Sequence, residues 1–222
     1  MKRRRVSPRV GGFDFGDLRR VQPVSTEFGY DRGRPVDRYY IERFLSARAD
    51  AIRGRVLEFG EPLYTKMFGD DRVSQSEILD VTGGPDVTYT CRLEDGDELP
   101  AEAFDCVVFT QTLQYIYDVR AGLRTLHRIL KPGGTVLATV PGITRICHEH
   151  YPDSWFWSFT AASATGLFSE FFTTDSLELE VFGNVLAATA FLYGLADADL
   201  KRRELDHLDP DYEVIIGVCA QK

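Results

Sequence analysis

No stretch of this sequence approaches the about 18 consecutive apolar residues that a membrane span requires, so no membrane partner is expected. Cations are also in short supply: 26 Lys and Arg stand against 34 Asp and Glu, a net charge of −8. Phosphate binding draws its affinity from clustered Lys and Arg, so nucleic acid is not expected as a partner. The four cysteines form no C-x-x-C pair and two of them fall inside apolar runs, the usage of a reducing compartment. Met-Lys-Arg-Arg-Arg at the start runs into Val-Ser-Pro-Arg-Val-Gly-Gly, with no apolar core for a signal peptide, and a cytoplasmic protein is expected. Internal repeats and a second domain are missing too, and nothing in the chain specifies an oligomeric state.

What remains is a 222-residue chain, 44% hydrophobic and 27% charged, enough for one α/β domain with an N-terminal extension. Residues 1–35, basic and then rich in Gly, Pro and Asp, read as an arm or lid, and residues 36–222 as a single domain. The apolar run Val56-Leu57-Glu58-Phe59 reads as a buried parallel strand, with Gly60 where the backbone must turn. A strand that ends in an acid and a glycine suits a nucleotide-type site, because ligands settle at the carboxyl ends of parallel strands. Asp80 closes a second strand, 76–81, about 20 residues on, the spacing at which a carboxylate meets ribose hydroxyls. Further strands are predicted at 87–93, 104–110, 135–140, 177–182 and 212–220. Helices are predicted over 36–49, from a cap at Asp118 to Leu130 with Lys131-Pro-Gly-Gly134 as its glycine C-cap, from Thr160 to about Phe171, and over 184–195. Between the second and third strands only Thr-Gly-Gly-Pro-Asp intervenes, too little for the usual crossover helix.

This series resembles the class I S-adenosylmethionine-dependent methyltransferases, over about Val36 to Ala220. Phe104-Asp105 and Leu130-Lys-Pro-Gly-Gly134 are its most specific parts. Arg32-Gly-Arg-Pro-Val-Asp-Arg-Tyr-Tyr40 is similar to a segment of type 11-like bacterial members often associated with glycosyltransferases, which makes Arg34, Asp37 and Tyr39 candidates to face the ligand. The resemblance implies a Rossmann-like α/β fold. Its sheet would have seven mostly parallel strands, an antiparallel last strand and helices on both faces. The first motif departs from the family's acid-x-Gly-x-Gly-x-Gly: the chain reads Glu58-x-Gly60-x-Pro62-x-Tyr64, and a proline offers no amide hydrogen.

The implied cofactor is S-adenosylmethionine, with Glu58, Phe59, Gly60 and Glu61 at its methionine end and Asp80 at the ribose. Leu93, Glu94 and Asp95 would line the purine, although an alternative alignment places Arg92 there. Thr110, Gln111 and Thr112 would stand at the methyl, with Gln111, Gln114 and Tyr117 able to orient the acceptor. Residues 141–159 carry both tryptophans and two of the four histidines, which suggests a lid or acceptor pocket. His148-x-His150 has no third ligand at a recognised spacing, so no metal is expected. The pair is open to two readings, a general base for the acceptor or surface histidines beside an apolar cover. The expected activity is methyl transfer to a small-molecule or sugar-derived acceptor, on oxygen, with His148, His150 or Tyr117 nearest the nucleophile. The alternative is a methyltransferase-like binding or scaffold protein without activity.

Overall fold

The computed structural model describes residues 7–148 and 153–222. Seven strands, Gly54–Phe59 (β1), Val73–Asp80 (β2), Tyr89–Thr90 (β3), Phe104–Thr110 (β4), Leu130–Pro141 (β5), Leu177–Phe182 (β6) and Ile215–Gln221 (β7), form one sheet in the order β3-β2-β1-β4-β5-β7-β6. The first five run parallel, and β7 lies antiparallel to both β5 and β6, as the sequence leads one to expect.

Strand alternation divides the core into two layers, because successive side chains leave opposite faces of the sheet. Leu57, Val107 and Phe109 face a layer closed by Val119–Ile129 (α3) and Ala161–Phe168 (α4), where Leu123, Leu126, Ile129 and Phe168 are buried. Val56, Cys106 and Val108 face the other layer, closed by Val36–Ser46 (α1) and Val185–Leu192 (α5). Leu63–Phe68 (α2) and the short Arg202–Leu205 (α6) complete the α-helices among the described residues. Asp118 caps α3 as its position predicts, its Oδ1 accepting from the Ala121 amide at 3.0 Å.

Three local expectations are corrected. The third strand shrinks from 87–93 to two residues, pairing Leu79 with Tyr89 and Asp80 with Thr90, while the crossover before it contains no helix, as its length predicts. α1 stops at Ser46 rather than Ala49. Lys131-Pro-Gly-Gly134 is not a helix cap: α3 ends at Ile129, and β5 begins at Leu130, directly opposite Phe104. The register then slips, so that Cys106 faces Thr135. Gly134 is needed there because a Cβ would sit 2.9 Å from the Phe104 carbonyl oxygen.

Asp105 ties the strand starts together. Its Oδ2 accepts from the Arg55 amide at 2.8 Å and from Lys131 Nζ at 2.7 Å, and it packs over Gly54, where a Cβ would fall 2.4 Å away. Partial burial raises the Asp105 pKa, but Lys131 and the Arg55 amide outweigh it and leave the carboxyl below its ordinary value. For a lowered acid, the stabilisation is complete above the unfolded pKa and is lost as pH falls through the folded one. Asp105→Asn should therefore lower the unfolding free energy from urea titration at pH 7, by no more than about 1 kcal/mol for a half-exposed pair. The two unfolding curves should converge in acid, and an equal gap at pH 7 and pH 3 would refute the assignment.

Candidate active site

Because β1, β2, β3 and β4 are parallel, their carboxyl ends open on one edge of the sheet, and a cavity of about 570 Å³ lies there. β1 delivers Gly60 in the left-handed region at φ 78°, with its amide on the Leu79 carbonyl at 3.0 Å. A Cβ built on Gly60 would meet nothing within 4 Å, so the backbone stands against open space. Glu58, 2% exposed, reaches the cavity wall with both oxygens already engaged by the Tyr64 and Thr65 amides at 2.9 and 2.8 Å. Burial pushes its carboxyl pKa up, against the pull of those amides. Its work is to cap α2.

Asp80 at the end of β2 uses one oxygen on its own turn: Oδ1 accepts from the Thr82 amide at 2.7 Å and the Thr82 hydroxyl at 2.6 Å. Among the described residues, Oδ2 has no partner. Past β3, Arg92, Leu93 and Glu94 line the cavity, with Arg92 donating twice to Glu94 Oε1 at 2.8 and 2.5 Å. Asp95 is exposed and outside the lining. Thr110, Gln111 and Thr112 follow β4. Gln111 takes a left-handed φ of 48°, unusual for a side chain of its size and worth about 1–3 kcal/mol of strain. Two bonds fix it there, its amide to the Thr139 carbonyl at 2.8 Å and its own carbonyl accepting from Gln114 Nε2 at 2.9 Å.

The opposite wall contains Tyr64 of the first motif together with two residues that the sequence reading passed over, Tyr30 and Arg38. Arg38 Nε donates to the Tyr30 hydroxyl at 2.6 Å, and Nη1 to the Tyr64 hydroxyl at 3.1 Å. Arg34, Asp37 and Tyr39 lie away from the cavity. Arg34 pairs with Glu42 and Asp197, Tyr39 donates to Asp206 at 2.6 Å, and buried Asp37 accepts from the Arg38 amide at 2.8 Å. One residue along a helix is a turn of about 100°, enough to exchange a cavity-facing position for a surface one.

The far end is closed by Tyr115, Ile116 and Ser154. Residues 153–157 are fastened beside them by the Phe156 amide on the Gln114 carbonyl and by Trp157 Nε1 on the Ile116 carbonyl, each at 2.9 Å. Tyr117 is 69% exposed, its ring 5.3 Å from Phe156, and does not line the cavity; nor does exposed His148. His150 lies outside the described residues. No group of three His, Cys, Asp or Glu side chains that could hold a metal occurs among the described residues, nor is any helix among them long and apolar enough to cross a membrane.

Residues 73–138, from β2 into β5, match the family model described as a methyltransferase domain. A SAM-dependent methyltransferase from Archaeoglobus fulgidus superposes with a TM-score of 0.55 at 12% identity, over 83% of this chain and 94% of that one. One from Mesorhizobium loti gives 0.55 at 16%, over 87% and 100%. The fold is that of the class I S-adenosylmethionine-dependent methyltransferases. A Burkholderia thailandensis 1,6-didemethyltoxoflavin-N1-methyltransferase with bound 1,6-didemethyltoxoflavin and S-adenosylhomocysteine superposes at 0.52 with 14% identity, over 82% and 76%. No curated protein matches the sequence. The expected fold, enzyme class and methyl donor agree with these findings.

The cavity fits that donor. Its volume lies within the roughly 300–1,000 Å³ of small-molecule sites. Bare Gly60 gives it close approach, and Asp80 offers an uncommitted carboxylate oxygen. Pro62 and Tyr64 do not plug it: Tyr64 is drawn to one wall by Arg38.

Proposed function

We propose that this protein transfers a methyl group from S-adenosylmethionine to a small-molecule or sugar-derived acceptor, on oxygen. The observation that carries the reading is the open space at Gly60 beside the free oxygen of Asp80, at the carboxyl edge of four parallel strands. The donor supplies an electrophilic methyl on a sulfonium, so the chain has chiefly to align two reactants and exclude water. Asp80 accepts from the ribose hydroxyls, Leu93 covers a purine face, and Glu94 Oε2 stands at its edge. Phe59, Gly60 and Glu61 border the methionine portion. Thr110, Gln111 and Thr112 form the wall at the methyl, where the fixed Gln111 backbone sets the acceptor's approach.

The acceptor enters past Tyr115, Ile116 and Ser154. At that end Tyr117 packs on Phe156 and Trp157. The net charge of −8 favours a small acceptor over a nucleic acid. Tyr30 brings its part of the N-terminal arm to the cavity wall, where it acts as a lid, and the free thiols suit a cytoplasmic setting.

A binding role without catalysis is favoured by one observation, the engagement of the α2 amides by Glu58, which leaves the β1 loop poor in donors. Calorimetric titration separates the two readings. Micromolar affinity for both S-adenosylmethionine and S-adenosylhomocysteine is expected, and no heat from either would leave only the binding role.

A further inference from the structure

We infer that the methyl acceptor carries an oxyanion, a carboxylate or a phosphate, and that Arg145 receives it beyond the acceptor end of the cavity. The inference rests on the reading above and names the substrate class of that site.

Half-buried arginines in this chain come with acceptors. Among the described residues Arg38, Arg48, Arg55, Arg128 and Arg145 are of this kind, and the first four donate to a phenol, a carboxylate or a backbone carbonyl. Arg145 donates to nothing and pairs with no carboxylate among the described residues, although its Nε is sealed from solvent. What holds it is a ring: its guanidinium carbon lies 4.4 Å from the centroid of Phe28. Stacking on an aromatic face answers part of the charge and leaves the donors in the guanidinium plane unused. A buried donor without an acceptor costs free energy, and in a chain of net charge −8 a carboxylate partner would have been easy to supply. The missing partner is therefore a ligand.

A second donor is stranded beside it. Trp155 Nε1 is buried without a partner, whereas Trp157 Nε1, two residues on, reaches the Ile116 carbonyl at 2.9 Å. The Trp155 ring lies nearly parallel to Phe28, 10° between planes and 6.4 Å between centroids, so both stranded donors belong to side chains that pack on one ring. An indole N–H can only donate, and so can a guanidinium. A group that accepts from both and brings a negative charge completes the cluster, which is the chemistry of a carboxylate or a phosphate. A cationic acceptor would be repelled by Arg145, and a neutral one would leave its charge unanswered.

Position assigns this anion to the acceptor rather than to the methyl donor. Tyr115 and Ser154 line the far end of the cavity; the Tyr115 ring meets that of Trp155 at 5.2 Å and 82°, and Ser154 directly precedes Trp155. Arg145 follows β5, the neighbour of β4, and β4 leads into the methyl wall of Thr110, Gln111 and Thr112. The proposed ribose and purine contacts lie at the other side, beyond β2 and β3. The cluster stands behind the cavity lining, so an acceptor seated at the methyl wall meets it with its far end, past Tyr115 and Ser154.

The test follows the two indole N–H signals of the full chain, those of Trp155 and Trp157, by nitrogen-15 NMR with S-adenosylhomocysteine bound. Inorganic phosphate and acetate are titrated separately, with chloride keeping the ionic strength constant. At least one should shift the Trp155 signal saturably in the millimolar range and leave that of Trp157 in place, and which one does so separates a phosphate from a carboxylate. Arg145→Gln should weaken that binding roughly 10- to 100-fold, and Arg145→Lys less, because an ammonium keeps the charge without the planar fork. The Trp157 signal, fixed by Ile116, reports that each variant is folded. A Trp155 signal indifferent to both anions, or equally responsive in wild type and Arg145→Gln, overturns the inference. A second arm supplies methyl-labelled S-adenosylmethionine and a deproteinised cell extract: the labelled product should be retained by an anion exchanger. A labelled product that runs through overturns the inference while the methyltransferase reading stands. Failure of wild type to bind S-adenosylhomocysteine overturns that reading and the acceptor's place with it.

Discussion

Asp80→Ala should weaken S-adenosylmethionine binding roughly 10- to 150-fold. On the proposed role, the ribose hydroxyls donate to the free Oδ2, and hydrogen bonds to a charged acceptor contribute about 1.5–3 kcal/mol. The carboxylate has a second duty, since Oδ1 holds the Thr82 amide and hydroxyl and thereby the turn that follows β2. Asp80→Asn separates the two. It keeps an acceptor for Thr82 while removing the charge, so it should preserve the thermal midpoint yet recover little affinity. Titration calorimetry on the three proteins checks this. Wild-type affinity in the alanine variant would remove Asp80 from the site and would weaken the whole assignment of the β2 edge.

Phe44→Ala has the largest expected effect on stability. The ring is fully buried where α1 lies across β7, so close to Gly217 that a Cβ there would fall 2.4 Å from it, and the Arg48 guanidinium covers it at 4.3 Å. Truncation leaves a cavity bounded by a rigid strand backbone that cannot collapse into it. The cost should be about 3–5 kcal/mol, a large part of the about 5–15 kcal/mol that stabilises a domain. The thermal midpoint should drop by roughly 6–20 °C. Phe168→Ala, on α4 beneath the other face, should cost a similar amount. Only the α1 variant should also loosen ligand binding, because α1 carries Arg38. Equal ligand affinity in the two variants would show that α1 keeps its place without this contact.

Much of the architecture was legible because the strands of a sheet covered on both faces read as near-continuous apolar runs; Val107-Val108-Phe109 could hardly be anything else. Missing length was equally informative: the few residues between Asp80 and Tyr89 cannot hold a helix, and none is there. Less legible were features set by long-range pairing. Leu130 to Gly134 carries every local sign of a helix stop, yet Phe104 recruits Leu130 into the sheet and the glycines serve a slipped register.

In the cavity wall, Gly60, Asp80 and Thr110 to Thr112 follow from the rule that ligands sit at strand carboxyl ends. Arg38 does not, because its face depends on where α2 packs. Asp95 and Arg92 could not be separated by counting alone. The turn over Leu93–Asp95 brings Arg92 to the cavity and leaves Asp95 exposed.

Tyr30 owes its place to a part of the chain remote in sequence. The Val24 and Ser25 amides both donate to the Tyr193 carbonyl, Gly29 lies against the Leu195 backbone, Arg32 pairs with Asp199, and Pro35 bridges Ala196. Residues 193–199 are thus the mooring of a wall whose cavity lining they do not join. Selection for altered ligand preference could act through that mooring, and variants scattered along it would look unrelated to the pocket whose shape they tune.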